Sequence, residues 1–191
     1  MTKSLDFSLR DPKEGVLPLL CERWSPRAFS GEAIADEVLA RVFDAARWAP
    51  SCRNEQPWRI YTSNMGNYTE VLSCLDEGNQ AWAKTAPVIG FLAGHKSFAH
   101  NGMDNPYRDF DCGAAWMAMT IQARVEGLYT HGMGGIYKER AERLFNVGND
   151  YEVIMGFVVG ALKPLSEMTE EELSRHVPNA RKSLDEVWVG R

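Results

Sequence analysis

Two arginines and a serine alternate in Arg23-Trp24-Ser25-Pro26-Arg27, so an extended backbone turns both guanidinium groups and the hydroxyl to one side. A guanidinium fork suits a phosphate or a delocalised anion; a solvated basic turn would also carry these residues. A second segment, Ala49-Pro-Ser-Cys-Arg-Asn-Glu-Gln-Pro-Trp58, is a proline-bounded loop. Its Ser51, Asn54 and Gln56 offer donors and acceptors for a polar heterocycle or a polyol chain, or only turn chemistry. A third, His131-Gly-Met-Gly-Gly135, carries three glycines. Glycines let backbone come close to a flat ligand and present its N–H groups, or shape a turn that binds nothing.

Other chemistries find little support. There is no G-x-G-x-x-G, no G-x-x-x-x-G-K-[ST], no G-x-S-x-G and no H-E-x-x-H. His95, His100, His131 and His176 are scattered, none beside a cysteine or carboxylate at ligand spacing, so no metal site is expected. The cysteines Cys21, Cys52, Cys74 and Cys112 form no C-x-x-C pair and read as reduced thiols. A formal net charge of -5 argues against nucleic acid as a main partner.

The elements that must position these segments are legible in outline. The chain has 191 residues, 45% hydrophobic and 25% charged, enough for one domain with a sizeable core. We expect that domain to cover residues 1–191, with a C-terminal arm from about residue 164 that docks on a partner. Asp36 is an expected N-cap for a helix running to about Trp48, with Val38, Leu39, Val42, Phe43 and Ala46 on one face. Trp58 to Ser63 reads as a strand, Gly66 to Leu75 as a polar helix, and Pro87 to Ala93 as a buried strand. A long helix is predicted from Asp109 to Gly127; its run from Ala114 to Met119 is apolar all round, which calls for cover on several sides, including a second subunit. A strand at Leu128 to His131, a helix from Lys138 to Phe145 and a strand at Val153 to Gly160 follow. The opening Met1-Thr-Lys-Ser-Leu-Asp-Phe lacks a long apolar run and no stretch reads as a membrane span, so a cytoplasmic protein with no membrane partner is expected. The fold class is α+β, a central mixed sheet flanked by helices.

Taken together, the three segments resemble the nitroreductase family. There an R-x-S-x-R/K segment precedes one amphipathic helix and then A-P-S-x-x-N-x-Q-P-W, matched by Arg23, Ser25, Arg27, Ala49, Pro50, Ser51, Asn54, Gln56, Pro57 and Trp58. Gly78-Asn79-Gln80-Ala-Trp82, the long helix, the glycine-rich turn and Arg181-Lys182 follow in the same order, so the resemblance covers about Leu20 to Trp188. It implies a nitroreductase-like, intertwined homodimer with FMN between the subunits. Arg23, Trp24, Ser25 and Arg27 would lie at the phosphate, ribityl and pyrimidine side; Pro50, Ser51, Cys52 and Asn54 would come from the other subunit, and Gln56 is a further cofactor-binding candidate. Met133, Gly134 and Gly135 would lie along the ring, Arg181 and Lys182 at the phosphate, and Asn79 against the ring. Cys52, Phe110 and Gly134 depart from the residues common in the family and bear on which substrate fits.

The resemblance also implies that NADH or NADPH reduces the flavin, which then reduces a small-molecule acceptor: a nitroaromatic, a quinone or an activated alkene. No catalytic side chain is required, because the flavin carries the chemistry. A flavin-binding carrier or redox sensor without turnover is the alternative from another class. Flavin destruction or reductive dehalogenation fits less well, because the span between Asn79 and Asp109 is short for a large lid.

Overall fold

A computed structural model describes residues 5–190; the expected unit's residues 1–4 and 191 lie outside it. Four strands form one sheet in the order β1-β2-β4-β3: β1 (Trp58–Thr62), β2 (Val88–His95), β3 (Tyr129–Met133) and β4 (Tyr151–Gly160). The α+β class is as expected. The sheet, expected to be mixed, is antiparallel at all three pairings. The sequence offered runs of apolar residues but no direct sign of strand direction.

β2 and β4 occupy the middle of the sheet, which explains their unbroken apolar runs. Side chains alternate across β2. Ile89, Phe91 and Ala93 enter one core with Val71, Leu75, Trp24 and Tyr129. Val88 and Leu92 enter the other with Phe157, Val159, and the helices α2 (Asp36–Ala46) and α5 (Arg108–Val125). Val42 and Ala46 of α2 are fully buried there, facing Cys112, Ala115, Met119 and Ala123 of α5, residues spaced by three or four and so on one stripe.

Local chemistry moves several expected boundaries. Ala35, not Asp36, is the N-cap of α2, and Asp36 and Glu37 sit in its first turn, where the helix dipole favours acids. The helix α5 is not buried all round: Phe110 is 79% and Met117 39% exposed opposite the buried stripe. Gly127, with φ +76°, closes α5 in a Schellman arrangement, Leu128 N–H bonding Ala123 carbonyl at 2.8 Å and Gly127 N–H bonding Arg124 carbonyl at 3.1 Å.

Short helices that the sequence reading passed over complete the chain: α1 (Pro18–Glu22), α4 (Glu77–Ala83), α7 (Glu170–Arg175) and α8 (Leu184–Val187); α3 (Tyr68–Leu72) and α6 (Lys138–Leu144) are close to their expected places. The tail after Lys163 is therefore partly helical. Capping boxes start both of its helices, Thr169 with Glu172 and Ser183 with Glu186.

Candidate functional site

The chain leaves α1 in extended conformation, with Arg23 at the helix C-cap. Trp24 and Pro26 turn inward and are buried, while Arg23, Ser25 and Arg27 face the other way. Trp24 is locked edge-on between Tyr129 and His176, at ring distances of 6.3 and 4.6 Å. The alternation expected from the sequence is therefore real, and it opens onto a cavity of about 340 Å³.

That cavity gathers five guanidinium groups, Arg10, Arg23, Arg27, Arg175 and Arg181, with Ser25, His131 and Asn179; no carboxylate lines it. Arg23 Nη1 donates to Ser25 Oγ at 3.3 Å. Among the described residues, neither Arg23 nor Arg27 has a carboxylate partner. Burial pulls the Arg23 pKa below its ordinary value, and Arg181 and Arg10 pull it further. Arg175 is paired with Glu171 at 2.9 Å; the other cations, crowded without a counter-charge, make a site for an anion.

His131 forms part of the wall. Its Nδ1 lies 2.8 Å from the Pro26 carbonyl, an acceptor only, so Nδ1 carries the proton and Nε2 is bare in the neutral ring. Burial holds its pKa below the usual imidazole value, opposed by the Pro26 bond and reinforced by Arg27 and Arg23. The ring packs on Trp82 at 4.5 Å, and Arg27 lies over the same indole at 5.9 Å.

A second cavity, about 640 Å³, adjoins the first, sharing Arg27 and Arg175 and reaching Asp76, Asn79, Trp82 and His176. Asp76 caps α4 by accepting from Asn79 N–H at 2.7 Å. Asn79 Nδ2 and Asp76 N–H both donate to the Gly135 carbonyl, each at 3.0 Å. The start of α4 and the turn after β3 are thus one unit. That turn is shorter than expected, since β3 runs through His131, Gly132 and Met133.

The loop from Ala49 to Pro57 lines neither cavity. It holds a single 3₁₀ turn at Cys52–Asn54, and Arg53, Asn54 and Gln56 adopt positive φ of 54°, 57° and 49°. Gln56 N–H donates to Ser51 Oγ at 2.9 Å, and Gln56 Nε2 to the Asn54 carbonyl at 3.1 Å. Three left-handed residues in four positions, none of them glycine, cost free energy that ordinary turn chemistry does not require.

Within one chain the structure thus brings together Arg23, Trp24, Ser25, Arg27 and Arg181, with Asn79 next door. Pro50, Ser51, Cys52, Asn54 and Gln56 stay apart on their own loop, and Met133 and Gly134 line neither cavity. Lys182 lines a separate cavity of about 490 Å³, shared with Arg10 and Arg181. The sequence reading missed Arg10, Arg175, Asn179, His131 and Trp82 as wall residues. His131 and Trp82 belonged to segments it had singled out; Arg10 and Arg175 carried no local signal.

The model of the nitroreductase family matches residues 20–65 and 62–161. A Streptomyces coelicolor protein named as an NADH dehydrogenase/NAD(P)H nitroreductase is 33% identical over 85 residues, 44% of this chain and 42% of that relative, so the match spans less than half of its length. A crystal structure of an oxidoreductase containing FMN is 36% identical, with a TM-score of 0.89 over 100% of this chain and 98% of that one. A nitroreductase family protein from Streptococcus pneumoniae shares the fold at a TM-score of 0.75 and 17% identity, over 91% of this chain and 98% of that one.

Proposed function

This chain belongs to the nitroreductase family, and from that premise we propose that it is an FMN-dependent oxidoreductase which draws electrons from NADH or NADPH and passes them to a small acceptor. One observation carries the reading: Arg23, Ser25 and Arg27 near one end of the chain and Arg181 near the other converge on a cavity with cations and no carboxylate. The donor set fits a phosphate monoester, and the adjoining cavity behind Arg27 gives room for more of the ligand. The two volumes fall within the range of small-molecule sites.

Bound FMN would supply the redox chemistry, accepting hydride and releasing electrons to the acceptor. The chain's own part is binding and electrostatics. Arg23, Arg181 and the Ser25 hydroxyl would hold the phosphate by charge-assisted hydrogen bonds. Arg27, held over Trp82, would supply positive charge to the bound flavin, which favours reduction. In its neutral form His131, with Nδ1–H given to the Pro26 carbonyl, would offer Nε2 as an acceptor to a ligand hydroxyl or N–H. Asn79, whose Nδ2 bonds the Gly135 carbonyl, would hold the glycine-rich turn beside the flavin.

We further propose a homodimer in which the strained loop of Ser51, Cys52 and Asn54 comes from the partner subunit to close the site. Its distance from the arginine cavity of its own chain and its stored strain support this reading, as do Phe110 and Met117 left exposed on α5. In that arrangement the fold is one domain with an arm that begins near residue 164. Nitroaromatics, quinones or activated alkenes are the acceptors we propose.

The visible spectrum of the purified chain tests the function. A yellow protein with about one FMN per subunit, bleached anaerobically by NADH or NADPH and recoloured by a quinone, is the expected result. A colourless chain that takes up no added FMN refutes it, and a yellow chain that neither nicotinamide bleaches makes it a carrier.

A further inference from the structure

We infer that Arg10 is a further cofactor-binding residue, clasping the C-terminal segment over the arginine cavity while lending that cavity one of its cations. The inference rests on the FMN reading above. Arg10 Nη1 donates to the carbonyls of Cys21 at 2.6 Å and Arg23 at 3.0 Å, and its Nε to the Asn179 carbonyl at 3.1 Å. One side chain thus joins three stretches of chain: the N-terminal segment, the end of α1 that leads into Arg23, and the link between α7 and α8.

The first two bonds explain why Arg23 is held where it is. Cys21 lies in the last turn of α1, where carbonyls have no partner inside the helix and a cation is favoured. The third bond explains the link. Residues 177–183 have no regular secondary structure. Among the described residues, the Asn179 bond is the one hydrogen bond that ties this stretch to a distant part of the chain; Arg181 bonds only the nearby carbonyls of Asn179 and Ala180. The link nevertheless brings Asn179 and Arg181 to the cavity wall.

A guanidinium has five N–H groups in a rigid fork. Three are engaged by the carbonyls; the two on Nη2 have no protein partner among the described residues, and Arg10 lines the cavity. Burial and the neighbouring Arg181 both depress its pKa, the mark of a cation set among cations in wait of an anion. A phosphate bridging Arg10, Arg23 and Arg181 would therefore fasten the link from inside, and losing Arg10 would cost both the contact and the closure.

The test uses the full chain and two variants, Arg10→Gln and Arg10→Lys, with FMN and riboflavin titrated by flavin fluorescence and trypsin cleavage after Arg181 followed in the ligand-free protein. In Arg10→Gln, FMN affinity should fall by about tenfold or more, as expected for one charge-assisted bond, with a smaller loss for riboflavin. Cleavage after Arg181 should be several-fold faster. Arg10→Lys, which keeps the charge but not the fork, should recover part of the FMN preference while its link stays as easily cut. Unchanged FMN affinity, equal losses for FMN and riboflavin, or unchanged cleavage would each overturn the inference. Should the wild-type chain take up no FMN, the function above fails by itself; Arg10 is then judged by cleavage and by calorimetry with inorganic phosphate, wild type against Arg10→Gln.

Discussion

The backbone N–H of Cys52 donates to Oδ2 of Asp111 at 3.1 Å, so a buried carboxylate in the first turn of α5 anchors the loop that holds Arg53, Asn54 and Gln56 at positive φ. Asp111 is 2% exposed. It explains how a strained loop persists: the strain is offset by a bond to a fixed helix.

That carboxylate carries a pH signature. Burial raises its pKa above the ordinary value, and the Cys52 N–H only partly opposes this. A raised folded-state pKa favours the folded chain at acid pH and gives up that contribution as pH rises through it. Asp111→Asn keeps an acceptor for Cys52 without the charge. Its melting temperature relative to wild type should therefore climb as pH rises above the ordinary carboxylate range. A relative stability that falls as pH rises would mean the ionised form is the one the fold prefers.

Arg23→Ala should weaken FMN by about tenfold to a hundredfold, and riboflavin far less, because the lost group is a charge-assisted donor of about 1.5–3 kcal/mol facing a phosphate. Arg23 is half-buried and without a carboxylate partner among the described residues, so little else in the chain is disturbed by its loss. Titration of the two ligands side by side decides the matter; equal losses would place Arg23 away from the phosphate.

A second pair ties α2 to the end of α5. Arg41 donates from Nε and Nη2 to both carboxylate oxygens of Glu126, each at 2.8 Å. The Arg41 hydrogen bonds, helped by Gln122, hold the Glu126 pKa down to about 2, against an ordinary 4.5. A depressed pKa gives stability that is present above the ordinary value and lost as pH falls toward the folded one. Glu126→Gln should thus melt below wild type at neutral pH, with the gap closing between 4.5 and about 2. A gap that persists into acid would assign Glu126 a role other than its charge.

Much of this fold was legible because its signals are local. The apolar runs that became β2 and β4 mark strands buried on both faces, and Val42 and Ala46 at helical spacing marked the inner face of α2. Strand direction was not legible, since pairing joins residues far apart in sequence. The alternation of Arg23, Ser25 and Arg27 was readable from their spacing, but their meeting with Arg181 came only through a family pattern. Arg10 and Arg175 look like any surface arginine until the fold sets them at one cavity. The capping boxes at Thr169 and Ser183 were there to read, and a tail taken as polar concealed them.

The glycine-rich turn offers the sharpest contrast. From the sequence, its glycines would serve positive φ or a close ligand. In the structure neither Gly134 nor Gly135 has positive φ. A Cβ on Gly135 would fall on the Asp76 carboxylate and within 2.7 Å of Asn79 Nδ2. Neither neighbour yields easily, because Asp76 caps α4 and Asn79 bonds the Gly135 carbonyl. Gly135→Ala should therefore lower stability by about 1–3 kcal/mol whether or not flavin is present, the usual effect of overpacking. A Cβ on Gly134 meets nothing within 4 Å. Gly134→Val should fold and melt much like wild type without ligand, yet lose most of the rise in melting temperature that excess FMN gives, since a ligand stabilises only the state that binds it. An undiminished FMN-induced rise in Gly134→Val would take this turn out of the flavin site, and a Gly135→Ala chain that melts like wild type would show that the α4 cap gives way more freely than its hydrogen bonds suggest.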